Sequence, residues 1–211
     1  MVAAIILAAG ESTRMGTPKA LLTDPDGRPF VARLVRTFAA AGVRDVVIVT
    51  ASEHAAIVKA LAADDPPVRP SLVINPEPSR GQLSSLWVGL DGAARPDLEA
   101  VLVTLVDVPM VKASTVRQVI EAWRRSRAPI VRPAVGARHG HPVLFDRAVF
   151  EELRHAPLTE GAKAVVHAHA PRVVDVAVDD RGAVVDVDTP EDYRKLVGDR
   201  GEGEGGRGTD P

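Results

Sequence analysis

Apolar residues along this chain fall into two alternating rhythms. Val2 to Leu7, Val46 to Thr50, Leu72 to Ile74 and Val101 to Val106 are short, continuous and rich in β-branched residues, which predicts buried strands. Between them apolar residues recur every three or four positions, over Phe30 to Ala41, over Glu53 to Ala63, and at Leu83, Leu86, Trp87 and Leu90, which predicts amphipathic helices. Pro29 suits the first turn of the first helix and Gly42 its C-terminal end; Ser52 is placed to cap the second, which Asp65-Pro66-Pro67 stops. Asp24-Pro25-Asp26-Gly27 marks a turn. This alternation predicts an α/β fold with a mainly parallel sheet and right-handed crossovers, Val101 to Val106 lying centrally.

The second half is less regular. Lys112 to Arg127 reads as a helix with Val116, Val119, Ile120 and Trp123 inward and Arg124, Arg125 and Arg127 at a solvated end. Strands are expected over Ile130 to Val135 and Val143 to Phe145, a short helix over Phe150 to Leu153, and another opened by Thr159 to Lys163. Val173 to Val178 and Ala183 to Val187 flank Asp179-Asp180-Arg181-Gly182, which predicts an antiparallel hairpin near the C-terminus. Thr189 or Asp188 caps a last helix that begins at Pro190. The expectation is one domain over 1–197 and a disordered tail over 198–211, since that tail carries Gly, Glu and Arg without apolar content.

Composition narrows the function. The 211 residues, 45% of them hydrophobic, suffice for one substantial core. A formal net charge of −2 points to neither a nucleic-acid nor a membrane partner. With no Cys, disulfides, thiolate metal sites and thiol nucleophiles are excluded, which is compatible with a reducing compartment. The apolar N-terminus lacks the positive flank of a signal peptide, so it reads as a strand, and the expected location is cytoplasmic.

Chemistry concentrates where the first strand ends. In Leu7-Ala8-Ala9-Gly10-Glu11-Ser12-Thr13-Arg14-Met15-Gly16-Thr17-Pro18-Lys19, the small residues let a ligand approach the backbone, and successive N–H groups form a concave anion site. Arg14 adds a fork of donors and Lys19 a point charge, which together suit a triphosphate. The spacing is neither a Walker A loop nor the G-x-G-x-x-G of dinucleotide folds, and spacing alone leaves an ordinary βα loop open. Gly81 to Ser85 stands at a helix start, where it caps the helix or bonds a nucleobase edge. Trp87 reads as core in preference to a base-stacking platform. Asp107, before Val108-Pro109 at the end of the central strand, is a turn former or a metal ligand; beside a phosphate cradle the metal is the better reading. His139 and His141 alone make a weak metal pair, and His167 and His169 suit a helix end. Strand alternation would place Asp186 and Asp188 on one face.

The loop Leu7-Ala-Ala-Gly-x-Ser-x-Arg-Met-Gly-x-x-Lys19 resembles the signature of the MobA-like nucleotidyltransferases, and within them most the molybdenum cofactor (molybdopterin) cytidylyltransferases. The resemblance extends to about Val197. It implies a Rossmann-like three-layer sandwich, Mg²⁺, and transfer of a nucleoside monophosphate from its triphosphate to a phosphorylated acceptor. Carried over residue by residue, it implies nucleotide contacts from Leu7, Ala8, Ala9, Gly10, Arg14 and Lys19, and from Gly81, Gln82 and Ser85 of a G-x-x-x-S element. Arg14 and Lys19 would neutralise the leaving phosphates. Asp107, from a D-x-P element, would take part in catalysis as a metal ligand, joined by Asp188 and then Asp186 of Asp186-Val-Asp-Thr-Pro-Glu-Asp192. Gly140-His141-Pro142-Val143-Leu144-Phe145 matches an acceptor-side element and assigns His141 to the acceptor. Glu160 and Lys163 depart from the usual Asp-x-Gly-Ala-Arg. Guanylyl enzymes usually begin Leu-Ala-Gly-Gly, so Ala8-Ala9-Gly10 favours CTP, with molybdopterin as acceptor. Sugar-phosphate acceptors, a non-catalytic nucleotide-binding module and a dinucleotide-binding oxidoreductase are the alternatives. No molybdoenzyme or chaperone partner is legible.

Overall fold

The computed structural model describes residues 1–10 and 15–198. Among these residues eight strands form one sheet: β1 (Val2–Leu7), β2 (Asp45–Thr50), β3 (Ser71–Ile74), β4 (Ala100–Leu105), β5 (Ile130–Val135), β6 (Arg138–His139), β7 (Val143–Asp146) and β8 (Val173–Ala177). Their order is β3-β2-β1-β4-β7-β5-β6, with β8 alongside β5. The pairs β1–β2, β2–β3, β1–β4 and β5–β8 are parallel; β7 runs antiparallel to both β4 and β5.

Period-two alternation in β1 divides the core into two layers. Ala4 and Ile6 face the side covered by α1 (Phe30–Ala40), α2 (His54–Asp64) and α4 (Ala113–Ser126). Ala3, Ile5 and Leu7 face α3 (Gln82–Ala93), α5 (Phe150–His155) and α6 (Lys163–Ala168). The result is the expected three-layer α/β sandwich with a mostly parallel sheet. α1 buries Phe30, Val31, Leu34, Val35 and Phe38, the face its periodicity marks, and ends with Gly42 at φ +88°. Ser52 does not cap α2: its hydroxyl bonds the Glu53 carboxylate, and no side chain caps that helix. Among the described residues no helix is long and apolar enough to cross a membrane.

The hairpin expected over 173–187 does not form. β8 pairs parallel to β5, and Arg181–Ala183 is a 3₁₀ turn. The reason is a competing partner for the turn's acid. Asp180 is buried and accepts from Lys112 N (2.8 Å), Thr115 Oγ1 (2.6 Å) and Gly182 N (3.1 Å), which ties it to the start of α4. Val184 and Val187 then go into the core without pairing a strand. The antiparallel elements are β7, inserted between β4 and β5, and the β5–β6 hairpin. α7 (Pro190–Gly198) follows as expected, with Thr189 and Asp192 capping each other: Asp192 N donates to Thr189 Oγ1 (3.1 Å) and Thr189 N to Asp192 Oδ2 (2.9 Å). The tail expected to be disordered lies, from residue 199 on, outside the described residues.

Two glycines let this arm lie flat on the molecule. A Cβ on Gly182 would stand 2.1 Å from the Met110 carbonyl oxygen, and one on Gly140 would stand 2.1 Å from that of Ala183. Backbone cannot yield as a flexible side chain does. Gly182→Ala is therefore expected to cost about 1–3 kcal/mol, as overpacking typically does, and to lower the urea midpoint; an unchanged midpoint would refute this tight packing.

Candidate active site

Parallel strands leave their carboxyl ends at one edge, and there three distant segments meet. β1 is knitted to its neighbours just beyond its end: Ala8 N donates to Val49 O (2.8 Å) and Val106 N to Leu7 O (3.1 Å). Glu11 to Arg14, including the expected Arg14, lie outside the described residues. Lys19 opens a 3₁₀ turn directly after Pro18. Its Nζ donates to Asp107 Oδ2 (3.0 Å), just past β4, and to Asp188 Oδ1 (2.5 Å), just before α7. Burial alone pushes the Lys19 pKa down, but the bonds to Asp188 and Asp107 outweigh it and hold the ammonium above its ordinary range. Val187 N donates to Asp107 O (2.8 Å), so the main chain fixes this meeting as well.

The acids are not equivalent. Among the described residues Asp107 Oδ1 is buried without a hydrogen-bond partner. Asp186 lies in irregular chain, not on the strand expected for it. Burial, and then the charges of Asp107 and Asp188, push its carboxyl pKa up. The expected trio Asp107, Asp186 and Asp188 does not close into a protein-only cluster, for no group of three such side chains able to hold a metal occurs among the described residues. What stands here is a pair of carboxylates bridged by a cation, with a third charge beside it.

A cavity of about 510 Å³ opens from this junction. Leu7, Ala8, Ala9, Gly10 and Lys19 line one part, and Gly81, Gln82 and Ser85 another, with Asp107 also in its wall. Every nucleotide-contact residue expected from the sequence and described here thus lines one space. Gly81, at φ +90°, is the residue at the N-cap of α3 and offers no side chain to cap its first N–H groups. The loop is held by a residue that sequence reasoning passed over. Asn75 is buried; its Nδ2 donates to Ser84 Oγ and Ser85 Oγ (both 2.9 Å), and its Oδ1 accepts from Glu77 N (2.9 Å). Its sequence signal is an Asn-Pro pair directly after a strand. Glu53, Pro18 and Ser79 also line the cavity and were not foreseen.

A second cavity of about 540 Å³ shares Leu7, Gln82 and Leu105 with the first. Leu83, Leu86, Val103, Val143 and Phe145 give it an apolar surface, and Arg132, His139, His141, Glu160, Lys163 and His167 a polar one. His141 is largely buried, with Nδ1 3.4 Å from Val103 O and its backbone N–H on Ala183 O (2.8 Å). Burial lowers its pKa, against the opposite pull of Asp186 and Asp107. His167 stands in the last turn of α6, as expected, and also lines this cavity, whereas His169, at the helix end, bonds Glu152 (2.8 Å). Trp87 is half-buried, donates to Leu153 O (2.8 Å) and lines neither cavity, as a core residue should. Arg124, Arg125 and Arg127 are exposed at the end of α4.

Residues 4–173 match the sequence profile described as the MobA-like NTP transferase domain. The chain belongs to that family. It is 34% identical over 128 residues to a probable molybdenum cofactor guanylyltransferase of Rhodopirellula baltica, covering 60% of this chain and 58% of that protein. It is 31% identical over 204 residues to nicotine blue oxidoreductase of Paenarthrobacter nicotinovorans, covering 93% of this chain and 96% of that one. Among solved structures it is similar to Rv0371c of Mycobacterium tuberculosis, with TM-score 0.78, 29% identity, and 93% and 98% of the two chains covered; a manganese complex of Rv0371c gives 0.75 and 28%. The recognition of the MobA-like superfamily from the first loop therefore holds.

The depressed His141 pKa has a consequence for stability. The unfolded chain takes up a proton on this residue near its ordinary pKa of 6.5, while the folded protein takes it up only at lower pH. Stability is therefore expected to fall as pH drops below about 6.5. His141→Gln should lose less than the native protein in thermal melts between about pH 7.5 and 5.5. Parallel pH profiles for the two would contradict the burial argument.

Proposed function

We propose that this protein is a divalent-metal-dependent nucleotidyltransferase that moves CMP from CTP onto molybdopterin, a phosphorylated acceptor, and releases pyrophosphate. The observation that carries the reading is the junction of two cavities at one sheet edge. The first offers small residues and Lys19 to a triphosphate, with Asp107 in its wall; the second offers His141 and a cationic, partly apolar surface to an acceptor. Family membership and the probable guanylyltransferase relative support the reaction class and acceptor. CTP is preferred on the Ala9 methyl group, which is buried in the cavity wall where guanylyl enzymes carry Gly.

In this reaction an acceptor phosphate oxygen attacks the α-phosphorus as the bond to the β-phosphate oxygen breaks, and the electron pair leaves with pyrophosphate. The acceptor is already a nucleophile, so the chain's work is positioning and charge neutralisation. Lys19, with Arg14 of the same loop, stabilises the leaving phosphates. Gly81, Gln82 and Ser85 hold the base, and His141 positions the acceptor. Asp107 and Asp188, with Asp186 beside them, are the residues to hold Mg²⁺. The orphaned Asp107 Oδ1 and the absence of a three-ligand cluster among the described residues suit an ion that takes one or two carboxylates and completes its shell with phosphates and water. Held there, such an ion would supply Lewis-acid neutralisation of the charge that develops on the phosphates. The manganese complex of Rv0371c supports a divalent ion.

The likeness to nicotine blue oxidoreductase favours a second reading, an oxidoreductase on the same fold. The chain lacks the spaced glycines of a dinucleotide fingerprint. One matrix separates these readings: four NTPs against molybdopterin and sugar phosphates with Mg²⁺, scored by pyrophosphate, with NADH and NADPH oxidation followed in parallel. The expected result is pyrophosphate with CTP and molybdopterin alone. Lys19→Ala should lower turnover by about 10²–10³. Reduced-cofactor oxidation without pyrophosphate release would overturn the proposal, and a GTP-only response would overturn its choice of base.

A further inference from the structure

Resting on that reading, the Lys19 ammonium faces two anionic demands at this edge. Lys19 lines the nucleotide cavity, yet its Nζ sits between Asp107 Oδ2 (3.0 Å) and Asp188 Oδ1 (2.5 Å). Asp186 adds a third negative charge to this neighbourhood. The ammonium and a divalent ion would therefore compete for the same carboxylate oxygens. The lysine stem is a flexible chain of four carbons, and its backbone is anchored in the 3₁₀ turn after Pro18, so Nζ can pivot while Cα stays. A triphosphate entering the cavity offers that ammonium several new oxygens, and its departure leaves mutually repelling carboxylates in need of a cation.

We infer that Lys19 is a latch on the metal site: in the nucleotide-free protein it occupies the space between Asp107 and Asp188, and the incoming triphosphate draws it away, so that nucleotide binding opens the site to the metal. The two ligands are thus coupled through one side chain, beyond the phosphate oxygens that the nucleotide itself lends to the ion. Asp188 is the arm that gives way readily, because its side chain is 54% exposed against 19% for Asp107. Asp107 stays in place, its main chain bonded to Val187.

The test is Mn²⁺ affinity, read by electron paramagnetic resonance on the full chain, for the native protein and Lys19→Met. Each is measured alone and saturated with the α,β-methylene analogue of CTP, or of GTP in parallel. Removing one charge at hydrogen-bond distance is expected to tighten Mn²⁺ binding to the free variant by about tenfold. The gain in the nucleotide-loaded variant is expected to be several-fold smaller, because there the native lysine has already left. An equal gain in both states would mean a fixed through-space charge and would overturn the latch, as would no gain in the free variant. Lys19→Gln, which keeps a polar side chain, should repeat the result, and circular dichroism checks that both variants fold. If the native protein binds Mn²⁺ but neither analogue, the nucleotidyltransferase reading fails. If it binds an analogue and Lys19→Met gains nothing, only the latch fails.

Discussion

One ammonium group joins parts of the chain that lie 88 and 169 residues away from it, and the candidate active site depends on that junction. Lys19 touches a carboxylate that ends the central strand and another that precedes the last helix. Asp188 is half exposed, so the pairing itself adds little to stability. Its importance lies in charge. Three acids gathered at one sheet edge repel one another, and a cation must stand among them whatever the state of the site.

The scaffold delivers these groups by backbone, not by side-chain chance. β1 and β4 run parallel and in register, so Leu7 and Leu105 end level and the segments after them leave from the same height. The 180–188 arm is brought over this edge by Asp180, which is hydrogen-bonded to Lys112 and Thr115 at the start of α4, and by two glycines where it crosses other backbone. Asn75 does the same for the loop before α3 by bonding two serine hydroxyls at once. Asp180 and Asn75 are buried and hydrogen-bonded, the condition under which interior polar groups specify one arrangement.

The resulting edge is divided by chemistry. One cavity presents small residues and a lysine; its neighbour presents leucines, valines and a phenylalanine beneath arginine, lysine and histidine. Proteins similar to this chain carry names as different as guanylyltransferase and oxidoreductase, which is expected when one fold hosts several reactions and the lining side chains choose among them. Glu160 and Lys163 both line the second cavity and add one charge of each sign to its wall.

The strands with continuous apolar runs and the helices with clean periodicity were readable from the residues alone, because burial imposes local patterns, and the first loop was enough to mark the family. Asp107 was readable for the same reason, as an acid at the end of the most apolar strand, and so was the Thr189 cap. The segment from 173 to 187 was not: its turn residues point to a hairpin, but a distant helix end and the vacant flank of β5 compete for them. Nor do local patterns show that β7 enters the sheet between β4 and β5, that Gly140 and Gly182 each abut a carbonyl, or that Asn75 anchors a loop. The sequence by itself determined which residues can carry charge, fill a core or bend. Only the tertiary structure decided which carboxylates Lys19 would meet, because that encounter is set by sheet order and by buried polar bonds between segments that share no neighbourhood along the chain.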